Sequence, residues 1–133
     1  MDLTAADREF LRYKLKQAKE SLAEAEGLLV DGAELGYVVN RLYYAFYYPV
    51  LGLLHATGTQ AAMQSVSIAL FEREYIQTGI VDKRFFDSIK KAFELKPKCS
   101  TTELKMIVRS DVETLLADAR AFVEMAGRMG SPG

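Results

Sequence analysis

The residues in this chain that could do chemistry are few, and the first is an arginine in apolar company. Residues 37–55 read YVVNRLYYAFYYPVLGLLH, with Asn40 and Arg41 as polar groups inside the run. An unpaired buried guanidinium costs many kcal/mol, so Arg41 must either reach a surface cleft or meet a carboxylate. Tyr44 and Tyr48 follow it by three and seven residues, which puts their hydroxyls on roughly the same helical flank. A cation with aromatic walls can hold a phosphate and stack bases. The same residues also fit a structural arginine among tyrosines bonded to backbone carbonyls.

The second signal is electrostatic. The net charge is −1, so bulk charge names no partner, but charge is unevenly spread. Residues 83–109 hold eight basic and three acidic side chains, against seven and eleven in residues 1–82 and two and four in residues 110–133. Lys96 and Lys98 stand just before Ser100-x-x-Glu103, a capping-box spacing that predicts a helix start. The free N–H groups of such a start would add to an anion site. The stretch reads either as a solvated face or as a site for nucleotide or RNA phosphate. The candidate nucleotide- or RNA-binding residues are therefore Asn40, Arg41, Tyr44, Tyr48, Lys96 and Lys98.

Other chemistries find no support. One Cys and one His exclude an intramolecular disulfide, a cysteine-built metal site and a two-His relay within one chain. There is no Glu-x-x-His for a di-iron bundle, no glycine-rich phosphate loop, and no nucleophile elbow to go with His55. His55 reads as a half-buried or capping residue, and Cys99, beside Lys98, as an inert thiol. No cofactor and no catalytic residue is expected. The N-terminus MDLTAADREFLRYKLK lacks the apolar core of a secretory signal, and the stretch Leu42–Leu54 is too short to span a bilayer. The expected location is the cytoplasm, with no membrane partner.

These side chains must be carried by helices. Leu11, Leu15, Ala18, Leu22, Ala25 and Leu29 recur at steps of four and three and predict a helix over residues 4–30, stopped by Asp31-Gly32. The run from Gly36 to His55, apolar nearly all round, predicts a central helix wrapped by the others, with Pro49 kinking it or marking its thinner half. A loop over residues 56–64 leads to a third helix over 65–77, with Ile68, Phe71, Tyr75 and Ile76 facing inward and Thr78-Gly79 ending it. Asp82 caps a fourth helix with the stripe Phe85, Phe86, Ile89 and Phe93, which Pro97 stops. A fifth carries Leu104, Val108, Val112, Leu115, Ala119, Phe122 and Ala126. The fold is thus all-α, an up-and-down bundle of about five helices in one domain over residues 1–128. The tail, GRMGSPG from residue 127 and residues 129–133 at the least, is expected to be disordered.

Three pieces, in order, resemble the HEPN domain family in its small stand-alone prokaryotic form, over residues 5–126. They are Arg41-x-Tyr43-Tyr44-Ala45, then Phe71, Tyr75, Ile76 and Gly79, then Ala92 to Leu95. The resemblance implies a helical bundle that forms a homodimer and is often paired with a minimal nucleotidyltransferase in a toxin–antitoxin system. Some HEPN proteins are metal-independent ribonucleases with an Arg-x(4–6)-His motif. Here Tyr48 stands where some carry the His, Gln64 replaces a His before the third helix, and Lys96 replaces an Arg after the fourth. Lys cannot make Arg's bidentate clamp, and without an imidazole the obvious proton carrier near neutral pH is missing. The sequence thus reads as a non-catalytic nucleotide- or RNA-binding or protein-interaction module. The alternatives are a ribonuclease toxin using Arg41 with Tyr48 or His55, and a structural dimer without a nucleic-acid role.

Overall fold

A computed structural model describes residues 3–59, 61–97 and 107–130. The described residues form five α-helices and no strand: α1 (Ala5–Val30), α2 (Leu35–Ala56), α3 (Gln64–Phe71), α4 (Lys83–Leu95) and α5 (Arg109–Met129). A π-helical turn, Glu72–Ile76, extends α3 and closes with the Gln77 N–H on the Glu72 carbonyl.

The helix ends follow local chemistry. Thr4 and Asp7 form a reciprocal capping box at the start of α1. At its end Gly32 adopts φ +75°, a left-handed turn open to glycine at no steric cost. Asp82 caps α4 by accepting from the Arg84 N–H, as its type predicts. The expected fifth-helix start lies outside the described residues, and the described α5 begins only at Arg109. Val108, expected in its apolar stripe, is instead its exposed N-cap. At the other end Gly127, Arg128 and Met129 form the last turn of α5, not a tail.

α2 is the central element and packs against all four other helices. It runs helical through Pro49, and Val38, Val39, Leu42, Tyr43, Phe46, Val50 and Leu53 are sealed from solvent. Its closest neighbour is antiparallel α1, and the approach rests on Gly52. A Cβ there would lie 2.6 Å from the Leu11 side chain and 3.2 Å from the Leu11 Cα. The buried stripe of α1 is Leu11, Leu15, Ala18, Ser21 and Ala25. Leu22 and Leu29, expected on it, are only partly buried, because the stripe drifts toward Ser21, whose hydroxyl donates to the Arg41 carbonyl (2.8 Å). α5 joins the core through Phe122, which meets Phe46, Phe71 and Phe85. α4 is tied to α5 by Asp118, which accepts from Ser88 and pairs with Arg84 (3.1 Å). No described helix is long and apolar enough to cross a membrane.

Candidate nucleic-acid interface

Arg41 lies at the surface of α2 with 45% of its side chain exposed, and its Nε stands 3.3 Å from Glu24 of α1. Both outcomes demanded of it are met: solvent and a carboxylate. An ion pair this exposed contributes about 0–1 kcal/mol, so Glu24 holds the guanidinium without locking it. Tyr44 and Tyr48 stand half-buried on the same flank with ring centroids 5.7 Å apart. Lys14 of α1 sits 5.5 Å from the Tyr48 ring. This flank is thus a cation–aromatic strip shared by α1 and α2.

Lys96 belongs to another flank. Its Nζ lies 5.3 Å from the Tyr43 ring and 5.7 Å from that of Phe93. Tyr43 is two residues from Arg41, about 200° around the helix axis, so the Arg41 strip and the Lys96 contact face different ways. Tyr43 is fully buried, stacks on Tyr47 at 5.5 Å and donates its hydroxyl to Gln64 Oε1 (2.8 Å). Burial, first, and the neighbouring tyrosines, second, push its hydroxyl far above the usual tyrosine range. Asn40 stands between the two flanks, one turn from Gly36. There Pro97 would meet a Cβ at 3.1 Å, so the bend after α4 rests on the first turn of α2. Lys98 and Cys99 lie outside the described residues.

The remaining motif residues serve packing. Phe71 and Tyr75 stack at 5.3 Å, and the buried Tyr75 hydroxyl donates to the Leu53 carbonyl, one of the C-terminal carbonyls of α2 left without a helical partner. Burial, then Glu74 and Asp7, push the Tyr75 hydroxyl up to about 12. Gly79, at φ +78°, makes the following turn. His55 Nδ1 lies 3.0 Å from Asp7, and the ring stacks 4.4 Å from Phe10. A carboxylate only accepts, so Nδ1 carries the proton, and His55 fastens the end of α2 to the start of α1.

Three described cations of the basic stretch pair with carboxylates. Arg84 pairs with Asp118, Lys91 with Asp111 (3.4 Å) and Arg109 with Glu113 (3.6 Å). Lys90 lies over Phe86. A second basic feature was not singled out from the sequence: a groove of about 580 Å³ between α1 and the end of α5, lined by Arg8, Arg12, Lys16 and Lys19. Their steps of four, four and three are a helical stripe, a signal that averaging charge over residues 1–82 concealed.

Over 114 residues, 86% of each chain, the sequence is 32% identical to a UPF0332 protein of Thermotoga maritima. The chain belongs to the UPF0332 family. The chain is also 26% identical over 119 residues to the Methanocaldococcus jannaschii protein named "Putative toxin MJ0142", covering 85% of this chain and 80% of that one. No protein-family model matches the chain, and no solved structure does.

Proposed function

We propose that this UPF0332 protein is a non-catalytic, HEPN-type module that binds nucleotide or RNA. It acts as a homodimer and as one half of a toxin–antitoxin-like pair with a nucleotidyltransferase. The observation that carries the reading is the state of Arg41: a surface guanidinium beside Tyr44 and Tyr48, held by one exposed carboxylate at 3.3 Å. A phosphate can compete with Glu24, since an exposed ion pair contributes only about 0–1 kcal/mol and phosphate accepts bidentate bonds from Arg. The similarity to a protein named as a toxin supports the toxin–antitoxin setting, and the three HEPN-like pieces support the dimer and the nucleotidyltransferase partner.

The placement of Arg41 and His55 within one chain supports the non-catalytic reading. Arg41 and His55 are fourteen residues apart on one helix, about 21 Å along its axis. His55 is also engaged by Asp7 and Phe10. Within one chain no imidazole reaches the phosphate that Arg41 would hold. The test is incubation of the purified protein with single-stranded RNA in EDTA, with binding followed against salt. Intact RNA, bound in a salt-sensitive way that Arg41→Ala weakens, is expected. Cleavage abolished by Arg41→Ala would overturn the reading in favour of a metal-independent ribonuclease.

A further inference from the structure

The groove on α1 carries an inference that rests on the RNA-binding reading but concerns a different surface from the Arg41 strip. Arg8, Arg12, Lys16 and Lys19 stand on one face of α1 and line the groove with Glu20 and, from α5, Gly127 and Gly130. No carboxylate pairs with any of the four cations among the described residues, whereas Arg41, Arg73, Arg84, Arg109 and Arg120 are each ion-paired. Like charges at i and i+4 destabilise a helix by a few tenths of a kcal/mol each. The row extends about 16 Å along the axis, long enough to meet several successive phosphates of one strand.

The two walls differ in chemistry. α1 offers cations. α5 offers the backbone of Gly127 and Gly130, bare of side chains, and the negative end of its dipole. A bare polyanion is served by the cations alone. A ribose-phosphate chain also presents uncharged sugars to the second wall. Outside the groove lining, one turn from Lys16, Tyr13 is 58% exposed, and the Lys14 beside its ring at 5.7 Å is the one that lies over Tyr48, so the ring stands between the groove and the Arg41 strip. An exposed ring beside a basic track is the arrangement that binds single strands, because it stacks unpaired bases. We infer that the groove between α1 and the end of α5 is a track for the ribose-phosphate backbone of single-stranded RNA, with Tyr13 as its base-stacking platform.

The experiment is fluorescence anisotropy of a labelled oligouridylate titrated with the full chain across a salt series, with oligoglutamate as competitor. The variants are the quadruple Arg8→Gln/Arg12→Gln/Lys16→Gln/Lys19→Gln, Tyr13→Ala and Arg41→Ala, each checked by circular dichroism melting. In the quadruple variant the slope of log K against log salt is expected to fall by about 3, since each single-strand phosphate contact contributes about 0.7. Tyr13→Ala is expected to weaken binding about tenfold at all salts. A folded quadruple variant that binds like the unaltered protein, while Arg41→Ala loses binding, overturns the groove and leaves the Arg41 site standing. Displacement of the RNA by oligoglutamate at equal charge overturns RNA as the occupant. An unaltered protein that binds no oligouridylate at low salt overturns the groove together with the RNA-binding reading.

Discussion

α1 and the stretch from α4 to the start of α5 are both rich in lysine and arginine, and they differ in what faces them. In the second stretch several described cations meet carboxylates or rings: Arg84 meets Asp118, Lys91 meets Asp111, Arg109 meets Glu113 and Lys96 lies over Tyr43. On α1, Arg8, Arg12, Lys16 and Lys19 face a groove and the end of α5. A local excess of charge in sequence is therefore a poor guide to free charge in space. In the region with the larger excess, Arg84 and Lys91 tie α4 to α5.

The largest effect that tests this contrast comes from Leu11, which packs against Gly52 and Gly130 and so holds α1 on both α2 and the end of α5. Leu11→Ala is expected to cost about 2–5 kcal/mol in denaturant unfolding. Where the variant still folds, oligouridylate affinity should fall with it, because the groove loses its geometry. Unchanged stability would show that α1 is not docked there. Asp118→Ala comes next. It strips both Ser88 and Arg84 of their acceptor and should lower stability by about 1–3 kcal/mol. The freed Arg84 should also strengthen RNA binding at low salt, and weaker binding would contradict the view that Asp118 neutralises α4.

Thr4→Ala removes the cap of α1 and should cost about 1 kcal/mol. It bears on pH as well. The Asp7 carboxyl is held below its ordinary value of 3.8, first by the backbone and hydroxyl of Thr4 and then by His55. A carboxyl lowered in the folded state contributes stability above its unfolded value and loses it as pH falls through the folded one. The melting temperature should thus drop below about pH 4, and Asp7→Asn should flatten part of that drop. An unchanged acid limb in Asp7→Asn would mean the box is not formed. The smallest effects belong to the surface charges themselves. Lys91→Gln should cost about 0–1 kcal/mol, and Lys16→Gln, with no carboxylate to lose, should stay within about 0.5 kcal/mol. A larger loss for Lys16→Gln than for Lys91→Gln in thermal melts would reverse the contrast.

The bundle was legible because helical periodicity and punctuation are local. The steps through Leu11, Leu15, Ala18 and Ala25, the apolar run of α2, the Asp82 cap and Gly79 each mark an element from a few residues. The candidate site was legible only in its parts. Arg41, Tyr44 and Tyr48 share a flank because their spacing on one helix says so. That Lys96 rests on the buried Tyr43, across α2 from Arg41, depends on how α4 ends against α2. The unpaired stripe on α1 was present at its spacing, but that it lines a groove depends on where α5 stops.

Composition and local spacing already make this protein helical, set α2 at its centre and leave too few histidines and cysteines for a metal centre built from several of them within one chain. Those properties follow from composition and from side chains a few residues apart, whose relative positions the helix repeat fixes. Which of the described cations stand unpaired is set by how the helices pack. Pairing Arg84 with Asp118, or Arg41 with Glu24, joins residues from different helices, and such partners are chosen by the packing of buried faces rather than by their own charge.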